Sequence, residues 1–325
     1  MHLRLARKAL ALLITACVVP TLHAQGAAPT SIPAARDLPY AGTITLAVDA
    51  TDLDHRVFQV RQHLPVSAGP LTLLFPRWMP GTHGPTGSIE RLAGLQIRTP
   101  DHQAVDWLRD GGDPFAFHLV VPPGVQQLEL EFQYLSPLES RAGRVVMTHD
   151  LLNLQWNTVL LYPAGHSSAN IQMQASVKLP KGWQQASALQ VQSESDAGIA
   201  FAPVNLDKLV DSPLFAGAHM RRVALDPAGS ARSVTLNIVA DSPEQLQASE
   251  EQLQAHRDMV QQADRLFGAR HFERYNFLLA LSERLSGIGL EHHESSENGV
   301  RPGYFKDWAK RAGPRDLLPH EFVHS

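Results

Sequence analysis

The sequence predicts a multidomain chain: an N-terminal all-β antiparallel sandwich over residues 40–225, followed over residues 226–325 by part of an α+β unit. Three observations carry this expectation. Apolar and polar residues alternate with period two in repeated short runs between about Tyr40 and Leu225. The period changes to a helical one near Asp241. The last six residues, His320-Glu321-Phe322-Val323-His324-Ser325, set two histidines four apart with a glutamate beside the first.

Ahead of both parts, residues 1–24 read as an export signal. Arg4, Arg7 and Lys8 form a basic start, Ala9 to Val19 an apolar stretch, and Leu22-His23-Ala24 a cleavage site before Gln25. A second reading takes Ile14-Thr15-Ala16-Cys17 as a lipobox, which would lipidate Cys17 and anchor the chain to the cell envelope. Either route predicts an exported protein, periplasmic or secreted in the first case. Cys17 is the single cysteine, so cleavage after Ala24 would leave no thiol and no disulfide. Removing the three basic residues of the leader takes the net charge from −4 to −7, which offers no basic footprint for nucleic acid. No apolar run reaches the roughly 18 residues of a membrane span. Residues 25–39, rich in Ala, Pro and Ser, read as a linker.

Within the sandwich region, Ile44, Leu46 and Val48 alternate with Thr43, Thr45 and Ala47. Leu128, Leu130, Phe132 and Tyr134 alternate with Glu129, Glu131 and Gln133, and Ile171 to Leu179 repeat the pattern. Such alternation sets one face on a core and the other in water. Pro122-Pro123-Gly124, Pro163-Ala164-Gly165 and Pro180-Lys181-Gly182 supply the turns. Then Ser242-Pro243-Glu244-Gln245 reads as a capping box opening a helix of about seven turns, in which Leu246, Leu253, Val260 and Phe267 recur every seven residues until Gly268. Phe277-Leu278-Leu279-Ala280-Leu281 reads as a buried strand, Gly287 to His292 as an edge strand, and the residues after it as a polar loop. The final helix is expected to start just before His320, with Asp316 as its cap and Pro319 in its first turn, where a missing N–H costs little.

Residues four apart share a helix face, so His320 and His324 are placed to bind one metal ion. Glu321, one residue round, is placed to take a proton from a water molecule that the metal activates. This is the HExxH pattern of zinc hydrolases. The plain alternative is a histidine-rich helix without metal, in a chain of 16 histidines. A catalytic zinc takes three protein ligands and a water, and the pattern supplies two. There is no Gly-x-Ser-x-Gly elbow, no Cys-x-x-Cys pair and no phosphate-binding glycine loop to support another chemistry.

Four segments carry a family resemblance. They are Phe75-Pro76-Arg77-Trp78-Met79-Pro80-Gly81-Thr82, the stretch from Gln155 to Gly165, Gly289-Leu290-Glu291-His292-His293-Glu294-Ser295-Ser296, and His320 to Ser325. Over about residues 40–325 the chain resembles the glycyl aminopeptidase family, metallopeptidase family sixty-one, related to the thermolysin-like gluzincins. The resemblance implies that residues 226–325 are the first half of an α+β thermolysin-like metallopeptidase domain, truncated just after HExxH. It implies zinc as cofactor, peptides as substrates, a preference for N-terminal glycine or alanine, and a third zinc ligand in the sequence that family members carry beyond this point.

It also implies substrate-binding roles for Gly289, Leu290 and Glu291. In gluzincin aminopeptidases an extended peptide pairs with an edge strand, and a carboxylate at the strand end meets its α-ammonium group. Glu291 stands 29 residues before His320 (320 − 291). His292 and His293 are expected in supporting or surface roles, since neighbours on a strand face opposite ways. Glu294 and Glu297 are weighed as substitutes for the third ligand but precede the motif helix in the expected loop. The alternative to a peptidase is a catalytically inactive fragment acting as an exported β-sandwich binding module.

Overall fold

The structure is a computed structural model and describes residues 31–78, 84–138, 146–310 and 312–325. The expected leader, Cys17 and its lipidation, the first residues of the linker, and residues 79–83 of the Trp-x-Pro-Gly segment lie outside the described residues.

The chain is built as the sequence pattern requires: an all-β sandwich first, a mixed α+β layer second. An eight-stranded sheet has Thr43–Asp52 near its middle, paired on one side with Val57–Pro65 and on the other with Gln172–Lys178. In these strands and in Gln127–Leu135 of the same sheet, Ile44, Leu46, Val48, Leu128, Leu130, Phe132, Tyr134, Met173, Ala175 and Val177 are buried as the alternation assigned, while Leu179 is only partly so. Two four-stranded sheets, containing Gly69–Leu74 with Ala116–Val121 and Leu151–Leu154 with Leu214–Gly217, share one core with it. One pairing departs from an antiparallel sandwich. Thr43–Asp52 and Gln172–Lys178 run parallel, Ile44 opposite Met173 and Val48 opposite Val177. The long excursion between them gives the chain room to return in the same direction, which a tight hairpin cannot do. In the expected linker, Arg36 bridges to His166.

The second layer begins at Met220, ahead of the division expected at 225/226. Its five strands run in the order Met220–Ala224, Ser233–Ala240, Arg274–Leu281, Ser295–Val300 and Ile288–Glu291. The three central strands are parallel, and the two outer pairings are antiparallel. Both faces are covered, which explains the unbroken apolar run from Phe277 to Leu281. Phe277, Leu279 and Leu281 pack with Leu253 and Val260 of the long helix. Leu278 and Ala280 pack with Leu151, Ala186 and Phe215 of the sandwich.

Two sequence expectations are corrected here. The long helix is Glu250–Phe267, 18 residues or about five turns, and the residues after Ser242 form only a 3-10 turn over Pro243–Leu246 with no side-chain cap. Its capping box is Ser249 with Gln252, bonded in both directions. Gly268 ends it in the left-handed region at φ 70°, as expected. The presumed polar loop after Glu291 contains the strand Ser295–Val300, buried at all six positions.

Candidate active site

The motif helix, Leu317–Phe322, is seated on the sheet by its apolar side. Leu318 and Phe322, four apart, are buried, and Phe322 packs against Tyr275 and Phe277 with ring centroids 4.8 and 5.2 Å away. Tyr275 Oη also donates to the carbonyl of Glu321, 3.5 Å away. Pro319 lies in the first turn, as expected. Asp316 precedes the helix with its backbone already helical and its side chain makes no cap bond, so the expected cap is absent. Its carbonyl accepts from His320 N at 3.1 Å instead. Val323 continues the helical path, with its N–H on Pro319 O at 3.2 Å, and carries His324 round onto the face of His320.

The two imidazoles are exposed, their ring centroids 5.2 Å apart, while Glu321 is buried between helix and sheet. One ligand atom from each of His320, Glu321 and His324 falls within 4.8 Å of the others. Two imidazoles and a carboxyl group converging in this way suit zinc by donor type and spacing. Burial holds the Glu321 carboxyl above the usual carboxylate range. Glu291 adds to the rise, against the opposing pull of His320, His324 and His292.

Glu291 ends the edge strand Ile288–Glu291, which pairs on one side with Ser295–Val300 and runs beside the motif helix. Gly289 lies on the same face two residues earlier, tightly against Glu321. A Cβ there would stand 2.0 Å from Glu321 Oε1 and 2.5 Å from Leu317 Cδ1. Leu290 faces the other way and is 2% exposed, so its side chain cannot reach a ligand on the Glu291 face, where it offers backbone only. A cleft of about 750 Å³ opens beside the strand, lined among others by Gly289, Ile288, Leu317 and His320.

Neither glutamate weighed as a third ligand joins this group. Glu297 is buried on the opposite face of the sheet, facing His292 and Gln155, and Glu294 pairs with Lys208. His292, 4% exposed, is bonded to Asp211 at 2.9 Å and Glu297 at 3.2 Å. Burial would depress its pKa, but the bonds to these two carboxylates override that and push it up to about 9. Sequence reasoning missed Asp211 and Tyr275 altogether. Tyr275 stood two residues before the recognised strand run, but nothing local marks Asp211. Away from this group, His118 is buried, with Thr72 at 2.9 Å and Asp110 at 2.7 Å.

Residues 45–218 match the family model for the Peptidase M61 N-terminal domain, more than half of the 325 residues. The chain belongs to peptidase family M61. No curated protein sequence matches it. Among solved structures, an aminopeptidase N family protein from Idiomarina loihiensis is similar to this M61 chain with a TM-score of 0.62 at 16% identity, over 78% of this chain and 41% of that one. An M1 zinc metallopeptidase from Deinococcus radiodurans is similar with a TM-score of 0.50 at 15% identity, over 90% of this chain and 65% of that one. At these identities the likeness is one of fold. The M61 chain spans less than two thirds of the length of either structure.

Proposed function

We propose that this M61 chain carries the general base, two metal ligands and the amino-terminus anchor of a zinc-dependent aminopeptidase that removes N-terminal residues from peptides. The observation that carries the reading is the convergence of His320, His324 and buried Glu321 within 4.8 Å, beside an edge strand that ends in Glu291. Zinc, when bound, supplies a Lewis acid that polarises a carbonyl and makes water acidic near neutral pH. His320 and His324 hold it through one nitrogen each. Glu321 accepts a proton from the attacking water and passes it to the leaving amine.

A peptide lying along the edge strand pairs with its backbone at Gly289 and Leu290. Its α-ammonium group meets the Glu291 carboxylate, which fixes the register so that the first peptide bond faces the base. Glycine or alanine as the N-terminal residue is the specificity that the family likeness suggests. An exported setting, with or without a lipid on Cys17, is the one the basic and apolar start of the sequence suggests.

The test uses the full-length protein. Glu321→Gln is expected to retain about one zinc per chain and to lose hydrolysis by roughly 10²–10⁴-fold, the usual contribution of a positioned base. Undiminished turnover in that variant rules out Glu321 as base. A wild-type protein that holds no zinc and ignores chelators rules out the enzyme and leaves the sandwich as a binding module.

A further inference from the structure

Glu291 and His292 are adjacent on an extended backbone and therefore face opposite ways. Glu291 shares the motif-helix face with Gly289, whereas His292 enters the seam between this sheet and the sandwich. There Asp211 Oδ1 lies 2.9 Å from Nδ1 and Glu297 Oε1 lies 3.2 Å from Nε2. With a carboxylate on each nitrogen, both ring nitrogens donate, which is the imidazolium form, in keeping with a pKa of about 9. Glu297 is held in turn by Gln155 Nε2, 3.2 Å from Oε1, and by Asn153 Nδ2 at 3.5 Å.

The same aspartate takes a second grip: Asp211 Oδ2 accepts from the backbone N–H of His293 at 3.0 Å. The next residue, Glu294, forms an ion pair with Lys208. Thus each of the three residues that follow Glu291 is bonded to the sandwich. Their partners are rigidly founded. Lys208 lies in the short helix Leu206–Val210, capped by Asn205, and Asp211 is its C-terminal cap. Ser212, next in sequence, is fixed through its carbonyl by Trp156 Nε1 at 2.9 Å in the sandwich core.

The edge strand by itself fixes little. It is four residues long, pairs with one neighbour, and carries Glu291 at its last position. A carboxylate that must set a substrate's register within a fraction of an ångström needs a second point of support. We propose that the sandwich positions Glu291, with Asp211 and Lys208 gripping the turn behind it and His292 as the positioning residue that transmits the grip. The proposal rests on the anchoring role given to Glu291 above.

The test compares kcat and KM of the full-length protein on a peptide with a free N-terminus, for wild type, Asp211→Ala, Glu291→Gln and the double variant. Asp211→Ala is expected to raise KM about tenfold with a smaller change in kcat, the scale of a displaced contact group. Asp211→Asn, which keeps an acceptor for His293, is expected to restore most of it. In the Glu291→Gln background the change at Asp211 is expected to add nothing, because both act on one contact. An equal factor in both backgrounds, or a loss confined to kcat, overturns the proposal and leaves Asp211 a purely structural residue. A KM unmoved by Glu291→Gln overturns the anchor itself, a separate failure. Should Asp211→Ala not fold, Lys208→Met removes only the partly exposed grip on Glu294 and is expected to raise KM by about two- to threefold where Glu291 is intact and not in the Glu291→Gln variant. No rise overturns the proposal equally.

Discussion

The missing side chain at Gly289 sets how closely the edge strand approaches Glu321, since even a methyl group would meet its Oε1 at 2.0 Å. Gly289→Ala must push Glu321, or the strand, out of place. The expected result is a fall in kcat of about 10²-fold, the scale of a misplacement of about an ångström, with zinc retained because the added methyl group meets Glu321 and Leu317 rather than His320 or His324. A kcat equal to wild type in the zinc-loaded variant would show that the two elements move apart at no cost. Part of the site's geometry was legible in the sequence. Four-residue spacing put His320 and His324 on one face, and the family resemblance picked out Glu291, which does end an edge strand. The burial of Glu321 was not legible, nor was Asp211, because both depend on which surface a distant segment covers.

Elements with a local signal were easier to read than their boundaries. Around the start of the long helix two stretches have capping-box form, Ser242-Pro243-Glu244-Gln245 and Ser249-Glu250-Glu251-Gln252, and proline at the first helical position favoured the former. The helix opens at the latter, where Ser249 and Gln252 bond reciprocally and where Gln252 also donates to Phe305 O at 2.7 Å. Tertiary contact decides between two adequate local caps. Ser249→Ala should therefore lower stability by about 1 kcal/mol, and Ser242→Ala by much less; thermal unfolding of the two variants distinguishes them, and equal losses would contradict this assignment. Ser295–Val300 had no chance of being recognised as a strand from pattern. It buries serines, a glutamate and an asparagine, and long-range partners satisfy Glu297. The strand Arg274–Leu281 announced itself through its apolar run from Phe277 to Leu281, whereas Ser233–Ala240, in which Ser233, Thr235 and Asn237 share one face, was not singled out.

At the scale of the molecule, the two layers are joined by a buried charge cluster, and that has a pH signature. The pKa of His292 rises from 6.5 in the unfolded chain to about 9 in the fold. The folded state thus binds the proton more tightly, and its stabilising contribution is complete below about pH 6.5 and disappears as pH rises through about 9. At about 1.4 kcal/mol for each tenfold change in proton affinity, the contribution is capped at about 3 kcal/mol. Wild-type protein is expected to melt progressively lower between pH 6.5 and 9, and His292→Gln to lack that part of the slope. Parallel slopes for the two proteins would place the proton elsewhere. The parallel seam between Thr43–Asp52 and Gln172–Lys178 bears on a different property, the order of assembly. The first long strand to be synthesised waits for more than a hundred further residues before its second neighbour exists, leaving a greasy, half-partnered ribbon in the nascent polypeptide. Slow maturation and a need for shielding during synthesis are the expected cost of threading the earliest strand into the interior of a broad sheet.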